Sequence, residues 1–312
     1  MSLLVESDSS AVTVRAAAKI NLFLGVGPVR EDGFHPLETV YQAIGLYDDV
    51  TVTDAPEWSV HTAADAGIDL ATVPDGDANI AIRAGRALAA HHDLGLTAHI
   101  EIHKGIPVAG GLAGGSADAA ATLVALDRLW DLRTTDEDLL AIAGELGSDV
   151  PFALIGGSAH GLGHGELVTP LPDHGSYWWV VVPSDEGLST PEVYREFDRL
   201  QPDLDPTAHE ADPVALIGAL REGDPDRLAT SMRNDLEDAA LSLRPELAER
   251  FALVQAQCDA KVMLSGSGPT ILGIVASQED ALDSRAALIE AGFEVVHVAT
   301  GPVAGAHVVE YA

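Results

Sequence analysis

The stretch PVAGGLAGGSADAAATLVALDRLW, residues 107–130, places four glycines within six positions directly before a run of helix formers. Apolar residues recur at helical spacing from Ala119 to Trp130, so we predict a helix with one buried face and with Ser116 at its N-cap. A glycine-rich turn that leads into a helix leaves several backbone N–H groups without partners, at the positive end of the helix dipole. Because glycine has no Cβ and tolerates positive φ, an anion can approach such a backbone closely. The stretch therefore predicts a phosphate-binding loop, with a flexible turn as the alternative.

Two familiar phosphate-binding motifs do not explain this loop. The pattern G-x-x-x-x-G-K-[ST] is absent, so no lysine follows the glycines, and the G-x-G-x-x-G spacing of dinucleotide-binding folds is also missing from the loop. A different class of phosphate-binding protein is indicated.

Composition and length narrow the functional class. The 312 residues are enough for two domains, because single cores rarely grow beyond roughly 250–300 residues. Acidic residues number 49 against 17 basic ones, a formal charge of −32, which excludes nucleic-acid binding through a basic surface. A strongly solvated acidic surface and adaptation to high salt both account for this charge.

Targeting signals and cysteine chemistry are also absent from the sequence. No run of about 18 uncharged apolar residues occurs, and the first residues do not resemble a signal peptide, so we expect a soluble cytoplasmic protein with no membrane partner. Cys258 is the only cysteine, which excludes an intrachain disulfide, and we expect its side chain to be buried.

The first half of the chain mixes strands and helices. Alternating apolar residues predict half-buried strands at 20–27 and 98–104. Between them, 79–92 has the pattern of a helix that begins with Asn79 as its N-cap, and a later helix at 136–146 is predicted to end with Gly147 at its C′ position.

The segment after that helix, SDVP, contains a proline that restricts its neighbour. We expect Pro151 to hold Val150 in an extended conformation, which leaves Asp149 in a loop.

The pattern changes near residues 171–176, where a second lobe begins. Its predicted elements are a buried strand at 177–183, helices up to residue 259, two strands within 261–276 around a Ser-Gly-Ser-Gly turn, a helix near 278–291 and a strand at 293–300. Strands that flank long helices predict an α+β lobe.

Four motifs in order resemble those of one kinase family. PVAGGLAGGSADAAA resembles the Pro-x-x-x-Gly-Leu-x-x-Ser signature of the GHMP kinases, named for galactokinase, homoserine kinase, mevalonate kinase and phosphomevalonate kinase. The segments AAAKINLFL (16–24), DGFHPLETV (32–40) and LGSDVPF (146–152) extend the resemblance. It implies a two-lobed α+β fold, with an N-terminal ribosomal-protein-S5-like, ATP-binding domain at 1–172 and a C-terminal ferredoxin-like domain at 173–312.

The resemblance also implies a reaction and its catalytic residues. GHMP kinases transfer the γ-phosphoryl group of ATP to a hydroxyl, chemistry in which the protein mainly positions groups and stabilises negative charge. By resemblance Asp149 is the catalytic base and Lys19 the active-site lysine that assists it. Considered without the family, Asp149 is a loop aspartate and Lys19 a solvated residue near a strand end.

ATP and Mg²⁺ are the co-substrate and ion that the resemblance implies. The sequence offers no dedicated acidic pair for the metal, so we predict no protein metal site and expect phosphate and water to hold the ion, with the Ser116 hydroxyl on the metal or on a phosphate oxygen. The residues predicted to bind ATP are Asn79, Lys104, Pro107, Gly110, Gly111, Leu112, Ala113, Gly114, Gly115 and Ser116.

The acceptor implied by the resemblance is a cytidine diphosphate sugar alcohol of the non-mevalonate isoprenoid route. Phe34 and Tyr194 would sandwich its cytosine, and His35 would bond to the edge of the base. Many relatives have tyrosine where this chain has Phe34, so the ring is kept and its hydroxyl is lost. The remaining predicted substrate-binding residues are Asn21, Thr190, Gly266 and Gly268.

Several alternatives stay open at this point. The chain could be another GHMP small-molecule kinase, an ATP-dependent decarboxylase of mevalonate type on the same fold, or a silent nucleotide-binding module. His160 and His164 are four residues apart, but three intervening or adjacent glycines disfavour a helix and hence a metal site there. We expect a monomer or a homodimer, and a cleft made locally positive by loop amides, Lys19 and Lys104.

Overall fold

Two β-sheets and the helices packed on them form the part of the chain that the structure, a computed structural model, describes: residues 11–30, 33–108, 110–184, 187–202, 212–258 and 261–309. The strands are β1 (Val12–Val26), β2 (Leu37–Asp54), β3 (Ser59–Ala64), β4 (Ala98–Lys104), β5 (Ser158–Gly163), β6 (Leu167–Leu171), β7 (Tyr177–Val182), β8 (Arg233–Asn234), β9 (Lys261–Leu264), β10 (Ile271–Val275), β11 (His297–Gly301) and β12 (His307–Val308). The helices are α1 (Ile80–His91), α2 (Gly114–Leu129), α3 (Asp136–Leu146), α4 (Val150–Ile155), α5 (Thr190–Leu200), α6 (Val214–Glu222), α7 (Pro225–Ser231), α8 (Glu237–Leu243), α9 (Pro245–Gln257) and α10 (Gln278–Glu290), and a 3-10 turn spans Gly76–Ala78.

The first sheet is built around the antiparallel pair β1 and β2. Its strand order is β12-β1-β2-β4-β3, and the long β2 also pairs with β5 through its first half, while β6 extends β5. The pairing of β1 with β2 is irregular between Ala17 and Ala18 and again between Asn21 and Phe23. Irregular pairing of this kind re-aims side chains, and here it brackets Lys19 and Asn21.

The second half of the chain contributes to the first sheet as well. Strand β12 pairs antiparallel with β1, and β8 pairs with it in parallel. Strands from both halves of the chain therefore belong to the first sheet. The predicted domain boundary between residues 172 and 173 stays a prediction.

Strand β1 contains the strand predicted at 20–27, but its burial differs from the prediction. Every residue from Ile20 to Val26 is buried, so both faces of this strand are covered. Ile20 belongs to the core that α2 closes, whereas Leu24 and Val26 pack in the core of the second lobe. The alternation along β1 was misleading because the second lobe covers the face that an isolated sheet would leave in water. Strand β4 spans 98–104 with alternating burial, as predicted.

Two of the helix ends predicted from sequence differ in detail. Asn79 caps α1 as expected, since its Oδ1 accepts from Ala81 N at 2.9 Å. Helix α2 begins earlier than predicted: its N-cap is Ala113 in the left-handed conformation (φ 57°), and Ser116 lies inside the first turn. Helix α3 ends at Leu146 as predicted, but Gly147 is its C-cap in extended backbone (φ 170°), not a left-handed C′ residue.

Helix α4 contradicts the expectation of an extended Val150. Val150 is its first residue, with Pro151 in the first turn and Asp149 as the N-cap. Proline is tolerated there because the first N–H groups of a helix have no intrahelical acceptor. Asp149 consequently lies in the turn that enters the helix.

The second sheet, of order β11-β7-β10-β9, is antiparallel throughout. It confirms the predicted strand at 177–183, the two strands around the Ser-Gly-Ser-Gly turn and the helix near 278–291, while β11 begins only at His297. A buried hydrogen bond from Trp179 Nε1 to Gln42 Oε1 (3.0 Å) joins the two sheets. Cys258 is buried, as expected. Nowhere in the described chain is a helix both long and apolar enough to cross a bilayer.

Candidate active site

A cavity of about 1240 Å³ lies between the lobes and collects most of the residues predicted from sequence. Those that line it are Lys19, Asn21, Phe34, His35, Asn79, Lys104, Pro107, Gly110, Gly111, Leu112, Ala113, Gly114, Gly115, Asp149, Thr190, Tyr194 and Gly266. Two predicted residues, Ser116 and Gly268, are not among its lining residues. The fold thus brings together segments from both halves of the chain.

The glycine-rich loop ends in a helix start that lacks a side-chain cap among the described residues. Gly114 and Gly115 form the first residues of α2, so their N–H groups have no acceptor within the helix. Ala113 adopts positive φ although it is not a glycine, which is strained by about 1–2 kcal/mol. Such strain is typical of functional loops, and Ala113 borders the cavity. This end of the cavity, formed by the loop and α2, is called the phosphate end below, after the ligand predicted for it from the sequence.

Gly110 and Gly111 lie so close to the second lobe that a side chain at either position would clash with it. A Cβ on Gly111 (φ 75°) would lie 2.7 Å from the Ser265 carbonyl oxygen, and one on Gly110 would lie 2.7 Å from Thr270 Oγ1. Ser265 Oγ also donates to the Gly111 carbonyl at 3.0 Å. The two glycine motifs, one from each lobe, therefore pack directly on each other. Gly115 differs, because a Cβ there would have only Ile80 within 4 Å.

Lys19 and Asp149 meet at the centre of the cavity. Lys19 Nζ lies 3.3 Å from Asp149 Oδ2 and donates to Asn21 Oδ1 at 3.0 Å. Asn21 is held in turn by its bond to Thr39 Oγ1 (2.8 Å), and the Lys19 backbone N–H donates to the Leu112 carbonyl (3.0 Å), which ties β1 to the loop. The Lys19 side chain is 9% exposed and that of Asp149 is 30% exposed. The Asp149 carboxylate is therefore open to the cavity, while the Lys19 ammonium is buried and held by Asn21.

Two tyrosines border the same carboxylate. Burial, followed by the charge of Asp149 and hydrogen bonding with it, raises the pKa of Tyr41 well above its usual value. Burial and then the charge of Asp149 raise the pKa of Tyr194 to about 12. The ring of Tyr41 also lies below Lys19, whose Nζ is 5.4 Å from its centroid. Both phenols are therefore protonated at neutral pH and face a negative centre.

Lys104, predicted to lie beside the nucleotide, is neutralised by two buried carboxylates. Its Nζ lies 2.5 Å from Asp48 Oδ2 and 2.7 Å from Asp118 Oδ2, and the three side chains are at most 5% exposed. Asp48 Oδ1 also accepts from the N–H groups of Gly105 and Ile106, at 2.8 and 2.9 Å. Contrary to our expectation, Lys104 therefore adds little positive charge to the cavity. It joins the end of β4 to Asp48 within β2 and to Asp118 of α2.

Aromatic side chains form the opposite end of the cavity, called the base end below. The ring of His35 is stacked on Tyr194 (centroids 5.1 Å apart, 27° between planes), and Phe34, which is 60% exposed, meets His164 edge to face at 4.9 Å. His35 Nδ1 donates to the Gly27 carbonyl at 2.7 Å, and its Nε2 lies 3.5 Å from Asp198 Oδ1. Both ring nitrogens of His35 thus face protein groups.

The second lobe closes this end with its own glycine turn. Thr190 Oγ1 and Ser267 Oγ are 2.9 Å apart, and a Cβ on Gly266 would lie 3.2 Å from Asn21 Oδ1. Gly268 lies further back, where its N–H donates to the Ser265 carbonyl at 2.9 Å. Of the two predicted glycines only Gly266 borders the cavity, because Gly268 closes the turn behind it.

Comparisons with known proteins agree with this architecture. The family described as GHMP kinases N terminal domain matches residues 79–157, and GHMP kinases C terminal matches residues 216–294. The chain is 57% identical, over 96% of its length and 100% of the relative, to the 4-diphosphocytidyl-2-C-methyl-D-erythritol kinase of Nocardioides sp.. This chain belongs to the GHMP kinase family. It is also 48% identical to the protein of the same name from Thermobifida fusca, over 96% of this chain and 99% of that one.

A solved structure extends the likeness of this GHMP kinase to three dimensions. A crystal structure of 4-(cytidine 5'-diphospho)-2C-methyl-D-erythritol kinase superposes with a TM-score of 0.74 at 31% identity, over 92% of this chain and 98% of that one. The predicted two-lobed α+β fold and the family resemblance are confirmed.

Sequence reasoning missed several polar residues of this GHMP kinase. Asp118 carried one usable signal, because an aspartate among alanines within a helix is a poor helix former and needs a local reason. Asp48 and Tyr41 carried none, since their partners are distant in the chain. Asn79 was assigned to ATP, yet its side chain is used by the fold, as its Nδ2 donates to the Pro74 carbonyl at 2.8 Å in addition to the cap. It borders the cavity while it holds the start of α1.

Proposed function

We propose that this GHMP kinase transfers the γ-phosphoryl group of ATP to the 2-hydroxyl of 4-diphosphocytidyl-2-C-methyl-D-erythritol, in the non-mevalonate route to isoprenoid precursors. One observation carries the proposal: the Lys19–Asp149 pair (3.3 Å) lies in the same cavity as an uncapped glycine-loop helix and a set of aromatic rings. A polyphosphate, an acceptor alcohol and a base can therefore be bound side by side.

In this proposal Asp149 is the catalytic base. Its carboxylate accepts the proton of the acceptor hydroxyl as that oxygen attacks the γ-phosphorus, and ADP leaves with the electrons of the broken bond. Lys19, whose Nζ lies 3.3 Å from Asp149 Oδ2, places a positive charge beside the carboxylate and can offer a hydrogen bond to the same hydroxyl. Asn21 holds the ammonium in place through its 3.0 Å bond.

The ATP phosphates are proposed to bind the backbone amides from Gly110 to Ser116. The first turn of α2 is uncapped and carries the positive end of the helix dipole, which favours an anion. Pro107, Asn79 and Lys104 border the nucleotide, with Lys104 acting through the cluster that it forms with Asp48 and Asp118.

The phosphate end offers few protein ligands for Mg²⁺. Oxygen donors suit this ion, and the Ser116 hydroxyl in the first turn of α2 is the protein group proposed to reach it. The described residues include no cluster of three or more His, Cys, Asp or Glu able to hold a metal, so phosphate oxygens and water would supply most ligands. When bound, the ion neutralises charge on the β- and γ-phosphates.

The cytosine is proposed to stack between Phe34 and Tyr194, with His35 at its edge. The face of Tyr194 that His35 covers is not available, so the base takes the other face or displaces the imidazole. Thr190 at the start of α5 and Gly266 in the turn that it contacts through Ser267 are proposed to hold the sugar alcohol and diphosphate together with Asn21, while Gly268 closes that turn from behind.

The aromatic base end distinguishes this function from its alternatives. A mevalonate-type decarboxylase or a homoserine kinase acts on a substrate without a base, and has no use for stacked rings opposite the phosphate end. A silent binding module has no use for a lysine held 3.3 Å from an aspartate that is open to the cavity.

A substrate panel tests the proposal. Purified protein with ATP and Mg²⁺ is expected to phosphorylate the cytidyl substrate and to leave mevalonate, its diphosphate and homoserine unchanged. Turnover of any of these three in preference to the cytidyl substrate contradicts the proposal. Repeating the assay across a salt series tests whether the acidic surface serves a high-salt environment, because activity highest in dilute buffer counts against it.

The oligomeric state and location complete the proposal. All the residues assigned here come from one chain, so a monomer suffices for activity and a homodimer is compatible with it. Light scattering at assay concentration distinguishes the two. A cytoplasmic location is proposed because ATP is supplied there.

A further inference from the structure

Asp118 has an oxygen that the fold does not use. It lies in the second turn of α2, below the glycine-rich loop, and is 3% exposed. Its Oδ2 accepts from Lys104 Nζ at 2.7 Å, but its Oδ1 has no hydrogen-bond partner among the described residues. Asp118 is also one of the residues that line the cavity. A buried polar atom without a partner calls for an explanation, and a ligand in the cavity is the nearest source of one.

The balance of charge around Asp118 indicates that it holds a proton. One ammonium, that of Lys104, serves two carboxylates, and all three side chains are at most 5% exposed. Asp48 accepts from three donors, whereas Asp118 accepts from Lys104 alone. A second buried negative charge with one donor is unfavourable, so the proton stays on Asp118. Since Oδ2 already accepts from Lys104 and the Asp48 carboxylate is the other side chain that bonds to Asp118, Oδ1, which has no partner among the described residues, is the oxygen left to carry the hydrogen toward the cavity.

The electrostatic surroundings of Asp118 agree with this assignment. Burial raises the pKa of Asp118 most, Lys104 lowers it and Asp48 raises it, with a net value of about 8. Burial lowers the pKa of Lys104, but the two carboxylates raise it by more, so the ammonium stays charged. Among the elements packed against α2, β4 and β2 present these two groups to Asp118. Lys19 from β1, Arg83 from α1 and Asp149 before α4 border the same cavity.

We propose that the protonated Asp118 carboxyl donates a hydrogen bond from Oδ1 to the bound nucleotide, a role that rests on nucleotide binding at the phosphate end as proposed above. A neutral donor binds a polyanion without the repulsion that a carboxylate would exert. The proton on Asp118 thereby couples nucleotide affinity to pH, since ionisation removes the donor and adds a negative charge at once.

Calorimetric titration of the full chain with ATP at pH 7, 8 and 9, without acceptor substrate, tests the proposal. ATP is fully ionised above pH 8, so its own titration does not produce a change there. The wild-type dissociation constant is expected to rise about tenfold between pH 7 and pH 9, because only the protonated form donates. Asp118→Asn keeps a donor at Oδ1's position at every pH, so the rise is expected to vanish. Asp118→Leu has no donor and is expected to bind ATP at least tenfold more weakly than Asp118→Asn at each pH.

A matched variant controls for general effects of pH and charge. Asp136→Asn makes the same substitution at an exposed position on α3, away from the cavity, and is expected to keep the wild-type pH dependence. Titration with tripolyphosphate identifies the acceptor: a pH dependence kept with this probe assigns it to the phosphates, and one seen only with ATP assigns it to the nucleoside. Either result supports the donor role.

Two different failures are distinguishable. If wild-type protein binds ATP but Asp118→Asn shows the same loss of affinity at high pH, or Asp118→Leu binds as well as Asp118→Asn, the Asp118 inference is wrong while the proposed function stands. If wild-type protein binds no ATP at any pH, the proposed function and the inference both fail.

Stability gives a second, ligand-free readout. Asp118 has a raised pKa in the folded chain and an ordinary pKa near 4 when unfolded, so between about pH 4 and 8 the folded state holds the extra proton. The contribution of Asp118 to the free energy of unfolding falls as the pH rises from about 4 to about 8 and is constant above that. Asp118→Asn should therefore become more stable relative to wild type from pH 5 to pH 8 in urea unfolding. A difference that does not change with pH overturns the assignment of the proton.

Discussion

The phosphate end and the base end of the cavity are built in opposite ways. The phosphate end comes largely from residues close together in the chain, 104–108 and 110–118, and is held by charges that are at most 5% exposed. The base end comes from separate segments around Phe34, Tyr194 and Gly266, and its leading ring, Phe34, is 60% exposed. The first is a fixed backbone cradle, and the second is a set of side chains that a ligand must order.

The two lysines of the cavity show the same difference. Lys104 is enclosed by two carboxylates and supports the backbone, whereas Lys19 faces a carboxylate that is 30% exposed and available to substrate. Burial therefore separates a structural role from a chemical one, although both residues are lysines in the same cleft. Each of the following variants should affect mainly one end of the cavity. A variant at one end that also changes binding at the other end would weaken the distinction between the two.

The largest effect is expected at the junction of the two ends. Asp149→Asn removes the proposed base and should lower kcat by about 10²–10⁴-fold, the usual range for general-base catalysis, while ATP binds as before because the phosphate end is formed without Asp149. Steady-state kinetics and ATP calorimetry measure the two quantities, with Asp136→Asn as the matched control. Normal turnover by Asp149→Asn would show that another group takes the proton.

Removing each lysine should separate stability from activity. Lys104→Met removes the buried cation from between the Asp48 carboxylate and the Asp118 carboxyl and should lower the free energy of unfolding by about 3–5 kcal/mol. Lys19→Met, beside a carboxylate that is 30% exposed, should lower the free energy of unfolding by about 1 kcal/mol or less, yet abolish most turnover. Urea unfolding of both variants gives the comparison, and equal losses of stability would contradict it.

Two glycine-to-alanine variants test why the loop needs glycine. Gly111→Ala requires alanine at φ 75° with its Cβ 2.7 Å from the Ser265 carbonyl, so it should destabilise the chain by about 2–3 kcal/mol. Gly115→Ala meets no close protein atom and should raise stability by about 0.5–1 kcal/mol, while its methyl group weakens ATP binding. Gly144→Ala in α3, which also has open space, is the control that should change stability alone. Undiminished ATP affinity in Gly115→Ala would place the phosphates elsewhere.

The smallest effect is expected at the base end. Phe34→Ala should raise KM for the cytidyl substrate about tenfold, in the range of base–aromatic stacking, with little change in KM for ATP. Its thermal midpoint should be close to that of wild type because the ring is 60% exposed. Phe34→Tyr retains the ring and serves as the matched control. An equal rise in KM for ATP would mean that the two ends are not independent.

Much of the fold followed from local patterns. The strands β4 and β7, the cap of α1 and the end of α10 were predicted well because periodicity and capping act over a few residues. The errors arose both from distant packing and from local backbone conformation. The half-buried character predicted for β1 was wrong because the second lobe covers its outer face, and Ser116 lost its expected cap position because Gly114 and Gly115 entered the helix.

The site, like the fold, has features that local sequence predicts and features that depend on tertiary packing. That glycine-rich backbone leads into a helix is readable from residues 107–130, since the conformational freedom of glycine and the dipole of a helix belong to the local chain. Which charges meet is not readable there. Only the folded chain brings Asp48 and Asp118 to Lys104 and leaves Asp149 open beside Lys19, because contact and burial are set by elements far apart in sequence. Local chemistry thus predicted a phosphate cradle, and tertiary packing decided which carboxylate stays open to the cavity and which ones enclose Lys104.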